Sequence, residues 1–99
     1  DIITIDHIVD NTCEYFRVKK EDLIGKKKNK EIVVPRQICI YLICDILGQS
    51  VPLVSIGEYF GGRDHTTIMH ARDKISEEIK TNEVVAGRVK DIKDKIFNR

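Results

Sequence analysis

One run constrains this chain more than any other: Gly61-Gly62-Arg63-Asp64-His65-Thr66-Thr67-Ile68-Met69-His70-Ala71-Arg72-Asp73-Lys74-Ile75. Two adjacent glycines take positive φ without steric penalty and let the backbone turn sharply. Asp64 suits an N-cap, and its charge matches the positive end of a helix dipole. Ile68, Ala71, Ile75 and Ile79 then recur at the spacing of one helical face. Upstream, Leu53, Ile56 and Phe60 predict a short helix over residues 53–60. Helix, glycine turn over 61–63, and helix from Asp64 make the layout of a helix-turn-helix, whose second helix enters a DNA major groove by its N-terminal end.

The predicted first turn carries four polar side chains in a row. Asp64 can accept from the exocyclic amine of cytosine or adenine, and Thr66 and Thr67 offer a methyl for thymine and a hydroxyl for base or phosphate. His65 can donate to either. The carboxylate of Asp64 has a competing use as a cap on the N–H of Thr66 or Thr67, and its two oxygens allow both. On a helical wheel Thr66, Thr67, His70 and Lys74 lie away from the apolar face. Asp64 and His65 do not, so they reach DNA only if the helix goes in end-on.

Ninety-nine residues with 41% hydrophobic content suffice for one core, so residues 1–99 read as a single domain. A net charge of +1 does not mark a nucleic-acid binder, and any basic footprint must be local. Cys13, Cys39 and Cys44 are an odd number within apolar helical patterns, which predicts reduced, buried thiols and a cytoplasmic protein. No apolar run approaches membrane-spanning length and no signal-peptide pattern opens the chain. The first residue is Asp1 and not methionine, which suggests a fragment of a longer protein.

Taken in order, Thr4 caps a first helix with Ile5, Ile8, Val9, Thr12 and Phe16 on one stripe. Asp22-Leu23-Ile24-Gly25 reads as a short second helix ended by a glycine cap. Lys26-Lys27-Lys28-Asn29-Lys30 places four ammonium groups in five residues, a solvated loop or a phosphate clamp. Pro35-Arg36-Gln37 begins a third, very hydrophobic helix, a position that proline tolerates. Gly48-Gln49-Ser50-Val51-Pro52 separates it from the short fourth helix, in which Gly57 faces the following helix and allows close approach. The fifth helix runs to about Lys80, and Thr81-Asn82 breaks it. A sixth carries Val85, Val89, Ile92 and Ile96 on one stripe, with Arg88, Lys90, Asp91, Lys93, Asp94 and Lys95 on a solvated face. The expected fold is all-α, about six helices.

The run from Gly61 to Ile75 closely resembles the signature of the C-terminal DNA-binding domain of the bacterial chromosomal replication initiators, the DnaA family. The likeness extends over nearly the whole chain. Tyr15-Phe16 followed by Val18 is similar to the family's opening helix, and Val34-Pro35-Arg36-Gln37 to the start of its central helix. The resemblance implies sequence-specific binding of duplex DNA at short, asymmetric origin boxes, in the initiation and regulation of chromosomal replication. It also implies that Arg36 and Gln37 hold the DNA backbone, and that the basic loop enters the minor groove. Lys28 stands where the family carries an arginine, which keeps the charge but loses the flat fork of donors favoured in a narrow A·T-rich groove.

The expected base readers are therefore Asp64, His65, Thr66, Thr67 and Lys28. The expected phosphate contacts are Lys26, Lys27, Lys30, Arg36, Gln37, Arg63, His70 and Lys74. Arg36 is alternatively a surface residue, and Arg63 is either a phosphate anchor or the partner of a core carboxylate. No G-x-x-x-x-G-K-[ST] loop is present, so ATP and magnesium belong to an ATPase module outside this domain, and no cofactor is expected within it. Neighbouring helix positions point about a hundred degrees apart, so Asp64 and His65 form no catalytic relay, and His65 and His70 lack a third zinc ligand. The chain is read as no enzyme, and as monomeric because no dimerisation motif is visible. An alternative class is a protein-interaction module, with the Val85 to Ile96 stripe or the third helix docking a regulator.

Overall fold

The Thr4 hydroxyl accepts the His7 N–H at 3.2 Å and starts α1, Ile5–Phe16. In the computed structural model residues 2–98 are described; Asp1, on which the expectation of a fragment rests, and Arg99 lie outside them. Ile8, Val9 and Thr12 are buried along α1, and Thr12 satisfies its hydroxyl by donating to the Ile8 carbonyl at 2.8 Å. Arg17 closes the helix in the left-handed region at φ 57°.

Two boundaries differ from expectation. The second helix, α2 (Lys20–Leu23), begins earlier, and Gly25 is not a left-handed cap. Gly25 is required for another reason: a Cβ there would lie 2.5 Å from the Glu21 carbonyl oxygen. The third helix, α3 (Lys30–Leu47), begins five residues before Pro35, which lies inside it. Proline so near the end removes one helical bond, to the carbonyl of Glu31, an exposed residue whose carbonyl water can serve. Ile38, Cys39, Ile40, Leu42 and Ile43 are almost wholly buried, so α3 is the central beam. Of the three thiols, Cys39 alone is fully buried, and burial pushes it up to about 12. Gly48–Ser50 forms a single 3-10 turn, with Gly48 at φ 57°.

The helix-turn-helix follows as α4 (Leu53–Tyr59), the turn, and α5 (His65–Thr81). Ile56 and Phe60 of the first unit meet Ile68, Ala71 and Ile75 of α5 in the core. Asn82 ends α5 and begins α6 (Glu83–Ile96), its side chain accepting from Val84 and Val85 N–H at 3.0 and 3.2 Å. Val85, Val89, Ile92 and Ile96 are all buried. The stripe considered for docking a regulator is thus already covered by α1, α3 and α5. The polar face of α6 is also more engaged than a solvated face: Lys93 pairs with Asp45 at 2.7 Å, Asp91 accepts from Tyr15, and Lys95 pairs with Glu14. Every element is helical among the described residues, as the periodicity predicts, and no helix there is long and apolar enough to cross a membrane.

The six glycines separate by what surrounds them. A Cβ on Gly57 would lie 2.1 Å from the Arg63 carbonyl oxygen, backbone that cannot swing aside, whereas one on Gly87 would meet nothing within 4 Å. Gly57→Ala should therefore destabilise the fold by about 2 kcal/mol or more, through enforced displacement of the turn. Gly87→Ala, within an exposed helical position, should stabilise by about 0.5–1 kcal/mol. Urea midpoints of the two variants decide it; equal midpoints would contradict the close approach at Gly57.

Candidate nucleic-acid interface

Gly57 is the hub of the turn. Its carbonyl accepts the N–H groups of Gly62 and Arg63 at 3.0 and 2.9 Å, and its missing side chain leaves room for the Arg63 carbonyl. Gly61 and Gly62 adopt φ of 77° and 79°, as two glycines in a tight turn should. The chain then leaves the turn at Asp64, which accepts the Thr66 N–H at 3.1 Å as N-cap. Bonds from the Thr66 N–H and hydroxyl hold the Asp64 carboxyl below its ordinary value. It stays ionised through the neutral range, and the charged cap is lost only as pH falls through that lowered value. The same carboxylate lies 3.0 Å from His65 Nδ1.

Asp64 and His65 stand exposed in the free protein, as an end-on approach would require. Their side chains are 66% and 58% exposed at the leading end of α5. Thr67, His70 and Lys74 are exposed along the flank of the same helix, and Thr66 is half-buried. Thr67, His70 and Lys74 share with Gln37 of α3 a groove of about 290 Å³, which Arg36 and Arg63 also line. Gln37 turns its Oε1 inward without a hydrogen-bond partner. A phosphate would need the other end of that amide, the Nε2 donor.

Lys26, Lys27 and Lys28 lie in an exposed loop, while Lys30 is already the first residue of α3. Lys27 pairs with Asp22 at 3.2 Å; among the described residues the other three have no ion pair. The loop is brought against the helix-turn-helix at Ile24. The Ile24 carbonyl lies 3.1 Å from where a Gly61 Cβ would be, and Arg63 Nη1 donates to it at 3.5 Å and to the Phe60 carbonyl at 2.7 Å. Among the described residues Arg63 has no carboxylate partner; it holds backbone.

Arg36 is not a surface residue. It is 5% exposed, with Nε, Nη1 and Nη2 donating to the carbonyls of Leu23, Lys27 and Asp22 at 2.6, 2.9 and 3.0 Å. Burial, then the nearby Arg63 charge, lowers its pKa, and burial lowers that of Arg63. Both remain charged across the physiological range. This role was open to sequence reading: Ile32, Arg36, Cys39 and Ile43 recur at four, three and four residues, the buried face of α3. Starting the helix at Pro35 hides the pattern by leaving Ile32 outside it.

A wider depression of about 640 Å³ lies between α3 and α6, near Tyr41, Ile79 and Phe97. Its charges pair with one another, Lys93 with Asp45 and Lys90 with Asp94 at 3.0 Å, so it offers no excess of one sign. Among the described residues no group of three His, Cys, Asp or Glu could hold a metal.

Residues 5–75 match the bacterial dnaA protein helix-turn-helix family. The chain belongs to the DnaA family. It is 46% identical over 94 residues to the chromosomal replication initiator protein DnaA of Levilactobacillus brevis, and 42% identical over 95 residues to that of Oenococcus oeni. These alignments take in 95% and 96% of this chain but 20% and 21% of those proteins, so it spans about a fifth of their length. A crystal structure of a DNA replication initiation factor superposes with a TM-score of 0.75 at 34% identity, over 93% of this chain and 29% of that one.

The cap geometry has a direct test. Asn at position 64 still accepts the Thr66 N–H, whereas Ala cannot. Asp64→Ala should lower the thermal midpoint of the free domain by a few degrees, and Asp64→Asn should leave it within about one or two. If both variants fall alike, the negative charge and not the acceptor supports the helix start.

Proposed function

We propose that this domain binds duplex DNA sequence-specifically at DnaA-type origin boxes, serving the initiation and regulation of chromosomal replication. The observation that carries the reading is the exposed end of α5, where Asp64, His65 and Thr67 project beside a lysine loop. Asp64, His65, Thr66 and Thr67 read base edges in the major groove. Lys28 lies at the adjacent minor groove as a point charge without arginine's fork. Lys26, Lys27, Lys30, Gln37, His70 and Lys74 engage phosphates, and Arg63 adds one where its remaining N–H groups reach the groove. Arg36 contributes to the backbone contact chiefly through the loop whose carbonyls it holds.

The reading assigns binding and no catalysis to these residues. In a longer initiator, ATP and magnesium would act in a separate module, and the compartment is the cytoplasm. The domain binds as a monomer on an asymmetric site. Sequence-specific readout predicts that a box duplex binds at least about tenfold tighter than a scrambled duplex of equal composition, with the gap surviving added salt. Both affinities should fall with salt, at a log–log slope of several units for about six phosphates. His65→Ala or Thr67→Ala should cost about 1–3 kcal/mol on the box and much less on random DNA. Fluorescence anisotropy at two salt concentrations measures all of this. Equal binding of both duplexes, vanishing together with salt, would reduce the face to a nonspecific clamp.

A further inference from the structure

No side chain of the lysine loop itself, residues 26–29, is apolar; half-buried Ile24 packs against the core ahead of it. Between Leu23 and Ile32, the buried residues on either side, every residue is exposed or half-buried. Four ammonium groups in that interval repel one another, and Asp22 compensates Lys27 alone. On these terms the segment would remain an ensemble. What crosses it is the Arg36 guanidinium, whose three nitrogens bridge Asp22 and Leu23 on one side to Lys27 on the other. Arg63, from the turn that launches α5, holds Ile24 between those points. An unbroken series of bonds thus links the start of α5 to the loop and to α3.

Placing a buried cation beneath a cationic loop is unfavourable in the free protein, because among the described residues no carboxylate pairs with Arg36. The arrangement becomes favourable when an anion lies across the loop. We propose that Arg36 is a positioning residue for DNA binding: its planar fork holds the lysine loop in register with the first turn of α5, so that both meet one duplex together. The proposal rests on the DNA-binding reading above and explains why the buried side chain is an arginine. Lysine carries the same charge on a single nitrogen and cannot span three carbonyls in a plane. A loop ordered beforehand also spares the complex the entropy of ordering it.

Arg36→Lys separates positioning from charge. It should weaken box binding about 10- to 100-fold at moderate salt and lower the log–log salt slope by about 2–4, near one for each loop phosphate contact released. Direct contact by Arg36 alone, with its charge retained, predicts a slope change below about one. In a variant whose loop is already neutral (Lys26→Gln, Lys27→Gln, Lys28→Gln), adding Arg36→Lys should change affinity less than about twofold. A full additive loss there overturns the proposal. Because Arg36→Lys can also impair folding, ¹⁵N relaxation of the free wild-type protein supplies a second measure. Order parameters near 0.8 across residues 26–29 support the hold, and values below about 0.6 overturn it. If wild-type protein does not prefer the box, the DNA-readout reading fails and this proposal with it. If wild type prefers the box and Arg36→Lys binds equally well, this proposal alone fails.

Discussion

Everything at the leading end of α5 depends on one carbonyl. Gly57 accepts two consecutive N–H groups from the turn, Gly62 and Arg63, and takes the Arg63 carbonyl into the space where a side chain would be. That mutual approach fixes where α4 ends and where α5 begins, since both strands of the turn are tied to one backbone position. Gly61 and Gly62 then need their positive φ to bring the chain round in so few residues. With the turn fixed, Asp64 arrives at the cap position and the next three side chains project from the helix end. Buried apolar contacts of Ile56 and Phe60 with Ile68 and Ile75 hold the two helices together. The direction in which α5 points is set by the turn.

The charges divide into two populations with different physical roles. On the side of α6, acids and bases are paired: Lys93 with Asp45, Lys90 with Asp94, Lys95 with Glu14. Exposed pairs of this kind contribute little each, but they leave that surface without net field. Around the start of α3 and α5 the cations outnumber their partners. Lys26, Lys28, Lys30 and Lys74 have no ion pair among the described residues, and Arg36 and Arg63 are satisfied by carbonyls that bring no negative charge. A domain of net charge +1 can therefore carry a concentrated positive face. Whole-chain charge hides it because the paired acids cancel in the sum.

Most of the fold was legible because its signals were local. Period and caps placed α1, α5 and α6 within a residue or two, and the double glycine placed the turn. The two misplaced boundaries have separate origins: Gly25 resembles a left-handed cap in sequence, but its place is set by the approach of the Glu21 carbonyl. Pro35 signals a helix start in sequence, whereas α3 begins a turn and a half earlier and leaves one carbonyl to water. That shift hid Ile32 and, with it, the buried register of Arg36. From sequence Arg63 is either a phosphate anchor or a carboxylate's partner, whereas the structure gives it backbone carbonyls. Such bonds between Arg63 and Ile24, 39 residues apart, leave no periodic trace in sequence. The exposed end of α5 was the opposite case: a helical wheel describes the flank of a helix and has no term for its end, where Asp64 and His65 stand clear.

On the DNA-binding reading proposed above, the two arginines also bear on how a small domain could address two grooves at once. A recognition helix alone can rotate or slide within a major groove, because its first-turn contacts lie close to one axis. A second contact displaced from that axis removes the freedom, provided its distance from the helix is fixed before binding. The loop of Lys26 to Asn29 is short and polar, without the burial to fix itself. Hydrogen bonds from guanidinium to backbone carbonyls solve this without apolar side chains, which would have taken the place of the exposed lysines. They also tie the loop to the element that launches α5, so displacement of one carries the other. On that reading a point-charge Lys28 would lose less by lacking arginine's fork, since the loop beneath it supplies its position and its own side chain need supply only charge.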